Sequence, residues 1–164
     1  MPEKKTLERA ARDKRQGKAS STQAGEFVRE EMEHIREGKH GARSPEQAIA
    51  IGLSKARRAG VKLPPPEKGD APKETREKAR HDLEAGAKSK KSVSRTRSKA
   101  TTEALKHEGH SAASHKALSK HAESAAKERT AAERSASARK AAKTKGPAKR
   151  SAAARKAART RAEN

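Results

Sequence analysis

The stretch SPEQAIAIGLSKARRAGV, residues 44–61, decides how this chain is read, because it carries the signals of a helix in their proper order. Ser44 is a strong N-cap: its short hydroxyl accepts an amide proton that the first helical turn leaves without a partner. Pro45 suits the first helical position, where no amide donor is needed, and Gln47 can close a capping box. Ile49, Leu53 and Ala56 then recur at helical spacing as one apolar stripe, with Gly52 beside it for close approach. Gly60 stands where a left-handed residue ends a helix, and Val61 supplies the apolar contact of a Schellman motif. The pattern predicts a helix over 45–59.

Upstream, STQAGEFVREEMEHIREGK (residues 21–39) predicts a second helix over 22–37, capped by Ser20, Ser21 or Thr22 and stopped by Gly38. Val28, Met32 and Ile35 share one face, with Ala24 above them and Phe27 on the flank. A second face aligns Glu26, Glu30, Glu33 and Glu37, a spacing at which like charges repel; the expectation is that they dock against the basic arm or against Lys55 and Arg58. Each apolar stripe is too narrow to be stable alone, and the short connector favours antiparallel packing. The two helices therefore read as a helical hairpin over residues 22–63, ended by Pro64, Pro65 and Pro66. Phe27, Val28, Met32, Ile35, Ile49, Ile51 and Leu53 form its candidate interaction face, for a second copy of the chain or for a protein partner. Ile51 draws attention because it points away from the main stripe.

Little else in the chain can build a core. Leu, Ile, Val and Phe number thirteen among 164 residues, against a net charge of +21, and that combination is the signature of disorder. Eleven of the fifteen large apolar residues, counting Met, precede Pro64. From Ser119 to Asn164 no apolar side chain exceeds alanine; that stretch holds sixteen Ala, fourteen Lys or Arg and four Glu. The fold expected from sequence is a mostly disordered chain with a small all-α module, the hairpin, followed by a basic arm that is coil or nascent helix. Four segments follow: a charged N-terminal segment (1–21) whose helix-forming stretch has no anchor, the hairpin module (22–63), a Pro/Ser/charged linker (64–118) and an Ala/Lys/Arg-rich tail (119–164).

An arm of this kind points to a polyanion. Each phosphate neutralised by Lys or Arg releases condensed counterions, which favours binding without regard to base sequence. The candidate contacts are Lys55, Arg57 and Arg58 in the hairpin, Lys90, Lys91, Arg95 and Arg97 in the linker, and Arg139, Lys140, Lys143, Lys145, Lys149, Arg150, Arg155, Lys156, Arg159 and Arg161 in the tail. Duplex DNA is the favoured partner, since one Phe and no Tyr or Trp leave no stacking platform for single strands. The function expected is sequence-nonspecific DNA binding by a nucleoid-associated or DNA-maintenance protein. A disordered hydrophilic stress protectant and an RNA- or ribosome-associated protein are the alternatives.

Other classes find less support. No enzyme is expected, because acid–base chemistry needs a titratable group shifted by burial and this composition offers little interior. His107, His110, His115 and His121 lack thiolates or a tight carboxylate set, with Gly109 breaking the first pair, so neither metal nor cofactor is expected. No small-molecule substrate is indicated. The absence of cysteine removes any disulfide framework. The start, MPEKKTLERAARDKR, lacks the apolar stretch of a signal peptide, and the longest apolar run (48–53) is far too short to span a bilayer, so no membrane association and a cytoplasmic, nucleoid location are expected.

Two resemblances add to this. EFVREEMEHIREGKHGARSPEQAIAIGLSKARRAGVKLP (residues 26–64) resembles a family of short, basic, uncharacterised bacterial proteins with the core GK…S-x-x-Q-A-I-A-I-G-L-S-x-A-R-x-x-G, some of them labelled plasmid-stabilisation proteins. The matching positions are Gly38, Lys39, Ser44, Gln47 to Ser54, Ala56, Arg57 and Gly60. The arm from about Lys88, with KTKGPAKR and AAARKAARTR, resembles linker-histone C-terminal tails and their bacterial Lys/Ala-rich counterparts. That resemblance implies charge neutralisation and condensation of DNA, although linker-histone tails are richer in Pro and Lys and poorer in Glu.

Overall fold

The computed structural model describes residues 2–88 and 94–163. Among them are seven α-helices: α1 (Lys4–Arg15), α2 (Ser20–Arg36), α3 (Pro45–Arg58), α4 (Lys73–Ala87), α5 (Arg95–Lys106), α6 (His115–Glu128) and α7 (Ala131–Ala162). A 3-10 turn, Ser111–Ala113, precedes α6, and the β-type pairing among these residues amounts to one isolated bridge between Lys68 and Ala71. The chain divides within α6, after His121, into two compact units.

The first unit is built on α2 and α3, the helices expected at 22–37 and 45–59. Ser44 Oγ accepts the Gln47 amide (3.3 Å), while Gln47 Oε1 accepts the amide of Arg43 (2.7 Å). Both helices end in Schellman motifs. Gly38 (φ +72°) donates to Ile35 and Lys39 to His34; Gly60 (φ +90°) donates to Arg57 and Val61 to Ala56. Reversing the chain at positive φ suits glycine, which has no Cβ to clash.

The expectation of a mostly disordered chain is overturned, since 76% of the described residues are helical. The N-terminal segment, expected to lack an anchor, is α1 packed on α2. Its anchors are small and ionic: Ala10 joins Ala24, Phe27, Ala56 and Val61 in one apolar cluster, and Arg9 reaches Glu26 (3.7 Å). Glu30 accepts the backbone N–H of Glu3 (3.2 Å), and buried Asp13 pairs with Lys18 (2.7 Å).

The linker is corrected in the same way. In α4, buried Asp82 receives Arg58 Nε (2.6 Å) and Ser54 Oγ (2.6 Å), two groups one turn apart on α3. The end of α5 joins the α2–α3 connector where Gly41 donates to Leu105 (2.8 Å) and Ala42 to Gly109 (2.9 Å). Ala112 and Ala113 then complete a second apolar cluster with Met32, Ile35, Ala42 and Ala48, flanked by Val28, Ile49 and Leu118.

The core explains why composition misled. Eight of the twelve buried apolar residues are alanine. Alanine fills an interior only where helix axes come close, and Gly52 provides that approach. A Cβ added at Gly52 would lie 2.6 Å from Val28 Cα, against the backbone of α2.

The second unit (122–164) holds the end of α6 and all of α7. The tail expected as coil or nascent helix is helical because alanine carries the lowest helix cost of any residue. A full capping box starts α7: Thr130 Oγ1 accepts the Glu133 amide, and the Glu133 carboxylate accepts the Thr130 amide (2.7 Å). Gly146 (φ +69°) interrupts α7, and Pro147 opens its second half.

Substituting the two α2/α3 glycines tests the close-approach reading. Gly52→Ala should destabilise the protein by about 1–3 kcal/mol through overpacking, despite a better helix propensity. Gly25→Ala on α2, where an added Cβ meets nothing within 4 Å, should stabilise by about 0.5–1 kcal/mol. Urea unfolding midpoints with unchanged m-values would read both; equal signs would refute the close-approach argument.

Candidate functional site

The hairpin cations expected to meet phosphate are instead engaged within the fold. Lys55 ion-pairs with the fully buried Glu31. Arg57 is 6% exposed and donates to the carbonyls of Leu63 (3.2 Å) and Pro64 (3.2 Å), clamping the polyproline exit; burial lowers its pKa. Arg58 is held by Asp82. Lys90 and Lys91 lie outside the described residues. Arg95 and Arg97 are exposed on the first turn of α5.

All ten tail candidates, Arg139, Lys140, Lys143, Lys145, Lys149, Arg150, Arg155, Lys156, Arg159 and Arg161, are exposed on α7. That helix carries eleven Lys or Arg against one Glu and buries no residue.

Its sequence contains a signal that the residue-by-residue reading missed. AAERSASARKAAKTKG (131–146) and PAKRSAAARKAARTRA (147–162) are tandem sixteen-residue copies, identical at ten positions, with Lys143 and Lys145 replaced by Arg159 and Arg161. At 100° per residue, Arg139, Lys140 and Lys143 fall within a sector of about 100°. Arg155, Lys156 and Arg159 repeat that triad in the second copy. The break at Gly146–Pro147 separates the copies, so each half is a straight helix of about 23 Å bearing one triad.

The candidate interaction face is occupied from within. Phe27, Met32 and Ile35 are buried, and Val28, Ile49, Ile51 and Leu53 are partly buried; all but Ile51 belong to the two apolar clusters. Leu7, at 40%, is the exposed large hydrophobe among the described residues. The acidic stripe is likewise partnered locally: Glu26 with Arg9, Glu30 with the Glu3 amide, Glu33 with Arg29 (2.9 Å) and Glu37 with Lys39 (2.9 Å).

Of the four histidines read as unliganded, His107, His110 and His115 are exposed and His121 bonds Glu46 (2.7 Å). A different trio, Glu31, His34 and His40, brings one ligand atom each within 4.8 Å of the others. Sequence spacing concealed it, because His40 lies beyond the end of α2 and returns to that helix only through the turn at Gly38.

Among the described residues no helix is long and apolar enough to cross a membrane. Residues 3–68 match the model of a family of unknown function (DUF6496); the matched segment holds α1, α2, α3 and the His–Glu trio, and ends before α4. No curated protein matches the chain. No solved structure does either.

The start of α7 gives a titration test. The Thr130 amide and hydroxyl, donating to Glu133, lower its carboxyl pKa. Because the folded pKa lies below the unfolded one, this contribution is present above about pH 4.3, the ordinary glutamate value. It is lost as pH falls through the folded pKa. Carboxyl ¹³C NMR should find Glu133 titrating below the ordinary range and moving upward in Thr130→Ala; an unchanged value would refute the capping box.

Proposed function

We propose that the protein binds nucleic acid without sequence preference, duplex DNA being the favoured form, and that α7 carries the binding. The observation behind this reading is the repeated basic triad on a helix that buries none of its residues. A helix with no buried residue is not explained by packing, and eleven cations on one element repel one another until an anion neutralises them.

Duplex DNA fits on two grounds. Its charge density, about one phosphate per 1.7 Å of axis, gives a large counterion release for closely spaced cations. Its major groove, about 12 Å wide, admits a helix, whereas that of A-form RNA is deep and narrow. Alanine between the basic positions keeps the helix slim, and the Gly146–Pro147 break lets two short helices change direction along a curved groove. The nucleoid would be the place of action. The one Phe is buried, which leaves no stacking platform for single strands.

Salt dependence tests the assignment. Log K should fall linearly with log salt, at about −0.9 per phosphate contacted. Replacing Arg139, Lys140, Lys143, Arg155, Lys156 and Arg159 by Gln should flatten the slope by up to about 5, on the same constant. Replacing six exposed cations elsewhere (Lys5, Arg12, Lys14, Lys73, Lys78 and Arg80) should change it far less. Equal effects would mean that net charge alone drives binding. Tighter binding to duplex RNA than to DNA of matched length would replace DNA by RNA as the partner.

A further inference from the structure

We propose that Glu31, His34 and His40 form a binding site for a divalent first-row transition metal, with Zn²⁺ the ion this donor set suits best. The site lies in the first unit, and the inference stands independently of the role assigned to α7. Two imidazoles and one carboxylate are a recurrent protein ligand set for zinc with an open fourth position. One donor atom from each residue already lies within 4.8 Å of the other two. A tetrahedral ion with bonds of about 2.0–2.1 Å has ligand–ligand edges of about 3.3 Å. Glu31 Oε1 and His40 Nε2 stand 3.0 Å apart, close to such an edge.

The Glu31 carboxylate supplies the second observation. Glu31 is fully buried, and its Oε1 has no hydrogen-bond partner, although His40 Nε2 is so near. The separation suits a hydrogen bond but the alignment does not. His40 Nδ1 lies 3.1 Å from the Gly41 carbonyl, which is satisfied when Nδ1 carries the proton. Nε2 then presents a lone pair toward a carboxylate oxygen. Two acceptors that face each other off-line are arranged as ligands aimed at a shared third point, and a buried unpaired carboxylate oxygen is costly without one.

The outer contacts match what metal-bound residues need. Ligating histidines usually give the second ring N–H to a carboxylate or carbonyl, which fixes tautomer and ring direction. His40 has the Gly41 carbonyl, and His34 Nε2 has the Glu3 carboxylate at 2.8 Å. Glu3 is itself pinned, by Lys39 on its carboxylate (3.2 Å) and by Glu30 on its amide. The second oxygen of Glu31 is held by Lys55, leaving Oε1 as the ligand. The imidazoles stand edge to face, centroids 6.0 Å apart, and retain 13% and 12% side-chain exposure, which gives an ion an entry path.

Zn²⁺ titration of the full-length, metal-stripped protein tests this, followed by calorimetry and thermal melts, with Co²⁺ as a spectroscopic substitute. One equivalent of Zn²⁺ should bind and raise the melting temperature, and Co²⁺ should give the intense visible bands of a tetrahedral site. His34→Gln and His40→Gln should each weaken binding by more than about 100-fold, the upper end for losing an outer contact. Glu3→Gln, an exposed change that removes only the orienting carboxylate, should weaken it by about 10–100-fold. His107→Gln and His110→Gln should change nothing.

Imidazole ¹⁵N signals of the unmutated protein keep the test independent of whether variants fold. The His34 and His40 resonances should move in step with the first equivalent of Zn²⁺. Shifts confined to His107, His110, His115 or His121, or undiminished binding by His40→Gln, would overturn the site. Absence of binding would leave Glu31 and His40 as an ion pair only and would equally overturn it.

Discussion

The contact of Gly52 with the backbone of Val28 is the constraint on which the first unit depends. Helix axes usually stand 8–10 Å apart, a distance set by the side chains between them. With alanine supplying most of the buried apolar positions, a wider spacing would leave voids, and a void forfeits dispersion contacts on every wall. Gly52 brings α3 down onto α2, so that Ala24, Ala48 and Ala56 become long enough to matter. Phe27 and Ile35, both essentially fully buried, can then anchor two clusters rather than one extended core.

A small core makes the buried charges more consequential. Asp13, Glu30, Glu31 and Asp82 are all buried, and each would strongly disfavour folding if left unpartnered. Asp13 has Lys18, Glu30 has the Glu3 amide, and Asp82 joins α4 to α3 through Arg58 and Ser54. These pairs contribute direction more than stability, since a buried ion pair roughly offsets its own desolvation. They fix which alanine faces which, something that alanine's featureless side chain cannot specify. Glu31 differs, because Lys55 satisfies one oxygen and leaves the other turned toward His40.

The sequence made local chemistry legible and long-range ionic pairing illegible. Ser44, Pro45, Gly38 and Gly60 announce helix ends through forces acting within five residues, and α2 and α3 begin and end within two residues of where those signals put them. By contrast, α1 is anchored by Arg9 to Glu26 and by Glu3 to Glu30, pairings across 17 and 27 residues that no periodicity encodes. Counting large hydrophobes treated alanine as filler, an error that made the linker and the tail look mostly disordered when both carry helices. The basic positions on α7 were readable from charge alone, and their tandem arrangement was present in the sequence too; the helix start after Thr130 and the break at Gly146 coincide with the ends of the copies. Lys55, Arg57 and Arg58 looked like phosphate ligands because sequence cannot show a carboxylate or carbonyl already waiting for them.

Salt separates the two kinds of charge in this molecule. Exposed cations on α7 interact through solvent, where screening has a length of about 8 Å at physiological ionic strength. Whatever they bind is therefore held more or less tightly as ionic strength changes. The contacts of Glu31, Asp82 and Arg57 are partly buried, and screening acts on them less than on fully exposed pairs. A rise in salt weakens the long-range interactions of the α7 cations more than it weakens the paired charges of the α1–α4 framework. The family match covers residues 3–68, which include Glu31 and Arg57 but neither α4 with Asp82 nor α7. The two parts thus differ in their response to one physical variable, bulk ionic strength, which acts strongly on the basic helix and weakly on the partly buried ionic framework.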